Sequence, residues 1–365
     1  MNAEHLKTLI RRILEIDPNN KVQHALARVV AAVDSLAKGK NPTTASSASA
    51  ALSQAIQVTG EVLGNLTATQ RREVTSLNAD RYFSDMLVSE LAELANQVEA
   101  APTVANATLK QLTEERGKFV DGLRVTVRTF DTLRISGDEP EPGSAELEVL
   151  IPRDLFDNDL RLFQRELDVL YKIVWPFYEL NNETVERIEI RTISTSDPFL
   201  VLRVTAAVAI ALGTAVKLCL DILNGAYGLR QAMREARGSR MVDDETITKI
   251  EQGIQDRLEM RIAEISEQTM RNFNGEEGRR NELESQANRS ISLLIERLDH
   301  GMQIVPRITA ADPDQASQNM PSSEQVDAVK TLTDTLEFRP VAGGQLTRLT
   351  NMSERVGRNH LPDDR

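Results

Sequence analysis

Residues 199–224 read FLVLRVTAAVAIALGTAVKLCLDILN, and where this stretch is housed decides the fold. Val204 to Val216 gives 13 uncharged residues between Arg203 and Lys217. As a helix that run rises about 20 Å at roughly 1.5 Å per residue, short of the roughly 30 Å hydrocarbon core of a bilayer. The stretch is therefore expected to be a buried core helix over 199–224. Asp197 would be its N-cap, Pro198 its first residue and Asn224-Gly225 its stop. Ala207, Ala211 and Ala215 fall at i, i+4 and i+8, a small face that lets another backbone approach closely.

Upstream of it, Ala145 to Ile151 alternates, with Leu147, Val149 and Ile151 on one face, and Arg187 to Ile193 alternates too. Strict period two predicts half-buried strands. Between them Phe156, Leu160, Phe163, Leu167, Leu170, Val174 and Phe177 step by four and three, one seam on a long helix. Asp154 is placed as its N-cap and Pro176 limits its far end. Strand, long helix, strand reads as a βαβ unit with a parallel pair. Leu123 to Ile135 fits either a strand or a helix.

Residues 1–117 read as short helices. Leu6, Leu9, Ile10, Ile13 and Leu14 make one stripe and Val22, Leu26, Val29, Val30, Val33 and Leu36 a second, with Asp17 to Asn20 as the break. Gly39 to Ser47 reads as a linker, and stripes at 51–63 and 87–98 follow before Ala101-Pro102. Short connections favour antiparallel packing. Downstream, residues 241–300 carry 14 acids and 8 bases. Two narrow stripes, Ile247 to Ile265 and Leu283 to Leu298, joined by the turn at Asn274 to Gly278, describe a helical hairpin. The fold expected is mostly α. A helical domain covers 1–117 and a small α/β module of two or three strands with a long crossover helix covers 118–226. A charged helical hairpin over 227–309 and a polar, partly disordered tail over 310–365 complete the chain.

Composition removes several functions. The chain has 365 residues, net charge −12 and 4% aromatic residues, which argues against nucleic acid as a partner. Cys219 is the single cysteine, so neither a disulfide framework nor a cysteine zinc site is available within one chain. The four histidines, His5, His24, His300 and His360, are far apart in sequence. No phosphate-binding glycine motif is present; Gly225 with Gly228 and Gly275 with Gly278 read as helix ends. Asp243, Asp244 and Glu245 could bind Mg²⁺, but three acids in a first helical turn answer the helix dipole. Ser194 and Ser196 lack the surround of a nucleophile elbow and read as caps near Asp197. No catalytic, cofactor or metal residue is assigned. The N-terminus lacks the pattern of a secretory signal, which gives a cytoplasmic expectation.

Two surfaces remain. Arg230, Arg234, Arg237 and Arg240 could bind phosphates, anionic lipid headgroups or a partner, although pairing with the acidic helix that follows is the simpler reading. The seam from Phe156 to Phe177 could face a second subunit in coiled-coil fashion. The functional expectation is a non-enzymatic interaction or scaffold protein that self-associates through helical seams. A membrane-acting effector using 199–223 and the arginine stripe is the alternative, and an enzyme with a site near Ser194 to Asp197 a second.

Overall fold

The computed structural model describes residues 3–338, except 40, 139, 185–186, 195–197, 239–243, 271–272, 274–276 and 311–320. The chain is mostly α with a small four-stranded sheet, and it divides into two compact units, Met1–Glu139 and Pro140–Arg365.

The first unit is all helix: α1 (Ala3–Ile16), α2 (Lys21–Lys38), α3 (Pro42–Leu63), α4 (Ala68–Ser76), α5 (Asp80–Phe83), α6 (Asp85–Ala100) and α7 (Pro102–Thr132). The stripe Val22, Leu26, Val29, Val33 and Leu36 on α2 is buried and joins one core with α3, α6 and α7. The expected linker at 39–47 is shorter than read. Asn41 caps α3 and Pro42 takes its first turn, so the polar residues after it are helical. The boundary placed at 117 falls inside α7, which continues to Thr132 and settles the ambiguous 123–135 stretch as helix up to that residue. Val120 and Leu123 are buried by the other helices, and that packing overrides the strand propensity of Val125 to Val127.

The second unit is built from β1 (Ala145–Leu150), α8 (Leu160–Leu180), β2 (Glu189–Ser194), β3 (Phe199–Val204), α9 (Ala206–Gly238), α10 (Asp244–Met270), α11 (Glu277–Asp299), β4 (Gln303–Ile308) and α12 (Ser323–Asp334). Its strand order is β2-β3-β1-β4 and every pair is antiparallel. This corrects the βαβ reading. The strands flanking α8 are not neighbours, because β3 lies between them. The missed strand is the start of the stretch quoted above. Phe199 to Val204 is not the first turn of a helix; it pairs with β1 from Ala145↔Val204 to Leu150↔Phe199. Pro198 therefore precedes a strand instead of opening a helix, and the expected cap, Asp197, lies outside the described residues. β4, inside the expected hairpin region, is the fourth strand.

Alternation is observed as expected on β1. Leu147, Val149 and Ile151 are fully buried with Leu200, Leu202 and Ile304, against α9. The opposite face carries a charged ladder. Glu146 stands opposite Arg203 and Arg307, accepts from Arg191 at 2.6 Å, and is fully buried. Pro306 is tolerated because β4 is an edge strand, and α12 covers that edge with Thr333 Oγ1 donating to the Pro306 carbonyl at 3.0 Å.

α8 differs from its expected bounds at both ends. Asp159, not Asp154, is the cap, accepting from the Arg161 and Leu162 amides, while residues 153–155 form a short 3-10 turn. Pro176 lies inside the helix, which ends at Leu180. Phe156, Leu170, Val174 and Phe177 are buried, whereas Leu160 is 80% exposed, so the seven-residue seam is core only in part. Arg297 of α11 donates twice to Glu166 of α8, at 2.6 and 3.1 Å, which ties the two helices together.

Candidate functional site

α9 is the axis of the second unit. It runs 33 residues, because Asn224-Gly225 does not stop it, and the arginines at 230, 234 and 237 belong to the same helix. The length estimate from uncharged residues is corrected accordingly: Ala206–Ala232 is long and apolar enough to cross a membrane. Half of its most apolar window is buried within the protein. The buried face is Val208, Leu212, Val216, Cys219, Leu220 and Leu223, which meets the sheet and α8, α11 and α12. Burial pushes the Cys219 thiol well above its ordinary pKa, so the thiolate needed for nucleophilic chemistry is disfavoured. Gly213 marks a close approach. A Cβ there would stand 2.7 Å from Leu332 Cδ2 and from Pro306 Cγ.

The other face of α9 is less covered. Thr214, Asp221 and Gly225 are exposed, and Ile210, Ala211, Leu218 and Ile222 are half-buried. Where α10 runs beside it, Leu218, Ile222, Gly225 and Leu229 of α9 and Met260, Glu264, Ile265 and Gln268 of α10 line a groove of about 780 Å³. Leu229 is 41% and Met260 57% exposed, so the groove presents large apolar side chains to solvent. Gly225 deepens it, since a Cβ there would meet no atom within 4 Å. The rim is charged: Lys217 pairs with Asp221 at 2.5 Å, and Arg261 pairs with Glu264 at 2.6 Å. Both rim pairs are solvent-exposed and add little stability. α10 as a whole carries seven acids and three bases.

The spacing Leu218, Ile222, Gly225, Leu229 is i, i+4, i+7, i+11, one helical stripe. It was not separable in the sequence, because α9 is apolar nearly all round and no polar face sets off an open side. The groove holds one cation, two carboxylates and one amide among apolar walls, and no nucleophile or histidine lines it. Such a lining suits an apolar helix face better than bond chemistry.

Among the described residues, none of the candidate site residues read from the sequence lines this groove. Phe156, Phe163, Leu167, Leu170, Val174 and Phe177 pack in or against the core of the second unit, and Leu160 projects from the start of α8. Arg230 is half-buried on α9, while the side chains of Arg234 and Arg237 and all of Arg240 lie outside the described residues. Ser194 ends β2, and its side chain, with Ser196 and Asp197, lies outside them too, as do Asp243 and the side chains of Asp244 and Glu245. No family model, curated protein or solved structure matches the chain.

Proposed function

We propose that this is a non-enzymatic interaction protein whose working surface is the groove between α9 and α10, and that the groove takes an amphipathic helix with apolar residues on one face and basic residues on the other. The observation that carries this reading is the pair of exposed apolar side chains, Leu229 and Met260, flanking the bare backbone of Gly225. Apolar walls supply the favourable area, and an i, i+4, i+7 ridge of leucine-sized side chains is the shape a helical groove accepts. Asp221, Glu264 and the acidic excess of α10 select a basic partner, chiefly through association rate and specificity. Association of two copies is one form this takes, but the seam from Phe156 to Phe177 is too far committed to the core to be its main surface.

The test is fluorescence anisotropy of the full chain against two synthetic amphipathic helices, one cationic and one with the charges reversed. The cationic peptide binds, and Leu229→Asp or Met260→Asp weakens it at least about tenfold by placing a charge on an apolar contact. Failure of both peptides to bind, or binding indifferent to both substitutions, would sink the reading.

A second reading rests on the length and apolarity of Ala206–Ala232. In it α9 leaves its unit for a bilayer, with the arginines at 230–240 on anionic headgroups. That requires giving up the buried face centred on Leu212, Val216 and Cys219, so the groove is the preferred site. Flotation of the full chain with anionic vesicles, and not with neutral ones, would favour the bilayer.

A further inference from the structure

The chain contains a segment of the chemistry this groove calls for. Residues 345–358 read Gln-Leu-Thr-Arg-Leu-Thr-Asn-Met-Ser-Glu-Arg-Val-Gly-Arg. Leu346, Leu349, Met352 and Val356 repeat at helical spacing on one face, and Arg348, Arg355 and Arg358 fall on the other. Three bases against one acid, Glu354, make it a basic segment in a chain of net charge −12. It lies outside the described residues.

The described chain ends on α9 itself. After α12, Leu336 is buried in the core of the second unit, Phe338 packs against that core, and Asn224 donates to the Glu337 carbonyl at 3.4 Å. Asn224 adjoins Gly225 of the groove. From Phe338 to Leu346 the chain can reach about 26 Å at roughly 3.3 Å per residue, ample to round one helix. Leu346 to Val356 as a helix spans about 15 Å, and Leu218 to Leu229 along α9 about 16 Å. Length, apolar spacing and charge sign agree.

We infer that residues 345–358 occupy the α9–α10 groove of their own chain, as an intramolecular ligand that an outside helix must displace. The inference rests on the reading of the groove as a helix-binding surface. A connection of this length gives an effective concentration on the order of 1 mM. For a tail whose own Kd for the groove is on the order of 100 µM, releasing it tightens the apparent affinity of an outside peptide about tenfold.

Two readouts test it in the full chain. In the first, Gln268→Cys on the groove is paired with Ser353→Cys, and Arg289→Cys, on an exposed position of α11, replaces Gln268→Cys as control. The native Cys219 is buried and stays silent. Mild oxidation gives a disulfide within the monomer for the groove pair and not for the control, and Leu349→Asp with Met352→Asp abolishes it. A disulfide that appears only in dimers assigns the segment to a second copy, and equal yields for groove and control mean no seat; either overturns the inference. In the second, Leu349→Asp with Met352→Asp tightens binding of the cationic peptide about tenfold. Unchanged binding overturns the inference and leaves the groove reading standing, whereas no binding to this released variant removes the groove reading as well.

Discussion

Arg116 has no exposed surface, yet it is a charged residue in the middle of α7. Its guanidinium donates to Asp17 at 3.1 Å, Gln23 at 3.1 Å and the Tyr82 carbonyl at 3.3 Å, and it lies over the Phe83 ring at 5.1 Å. Burial pulls its pKa down, and Asp17 partly restores it. Asp17 also accepts the Lys21 and Val22 amides at 2.7 and 3.2 Å, so one ion pair fixes the α1–α2 corner to α7 and α5. Removing one partner of a buried pair leaves the other uncompensated, so Arg116→Ala costs roughly 3–5 kcal/mol. Urea unfolding followed by far-UV dichroism checks this, and a loss under about 1 kcal/mol contradicts it. Nothing in Glu114-Glu115-Arg116 distinguished the buried arginine from its solvated neighbours. Its burial depends on Asp17, 99 residues away, and a local pattern carries no such information.

The elements were legible where period and neighbours agree. The stripes of α2, of β1 and of α11 are observed where the sequence reading places them, because burial follows their periodicity; on α10 Ile262 and Ile265 are buried, and the side chains of Ile247, Ile250, Ile254 and Leu258 lie outside the described residues. The reading failed at junctions. Phe199 to Val204 and the helix after it form one apolar run, and only pairing with β1 makes the first part a strand. Pro176 was read as an end, but α8 runs on to Leu180 with both flanks packed: Ile173, Val174 and Phe177 are all buried. At Gly213 the side chains of Pro306 of β4 and Leu332 of α12 come close to the α9 backbone. Leu332 ends in a flexible side chain, while Pro306 is fixed in a strand, so added bulk pushes on the sheet edge. Gly213→Val is expected to cost about 1–3 kcal/mol as an overpacked contact, read as a lowered Tm. An unchanged or raised Tm would contradict the close approach.

Over the whole molecule, charge is divided unevenly between the units. Residues 1–139 carry 16 bases and 17 acids, and residues 140–365 carry 27 bases and 38 acids. The acidic excess therefore belongs to the unit that holds the groove, which is why a basic helix is the partner argued for it. Each unit has its own apolar core, and the core of the second is gathered around α9. Architecture at this level was legible as mostly α with a small sheet. The groove was not, because it depends on how α10 lies beside α9, and on the stripe Leu218 to Leu229 being left open by the other described elements.

All of this depends on α9 having one face sealed in the core and one face open. Thiol labelling under native conditions reads both faces directly, with Cys219 in the unaltered chain and Thr214→Cys in a Cys219→Ala background. Thr214 is exposed and Cys219 fully buried with its thiolate disfavoured, so Cys219 reacts only when the second unit opens. For an opening free energy of about 5 kcal/mol, Cys219 labels at least about a thousandfold more slowly than Thr214→Cys. Equal rates at the two positions would mean that α9 is not the core of its unit, and the groove built on its open face would fall with it.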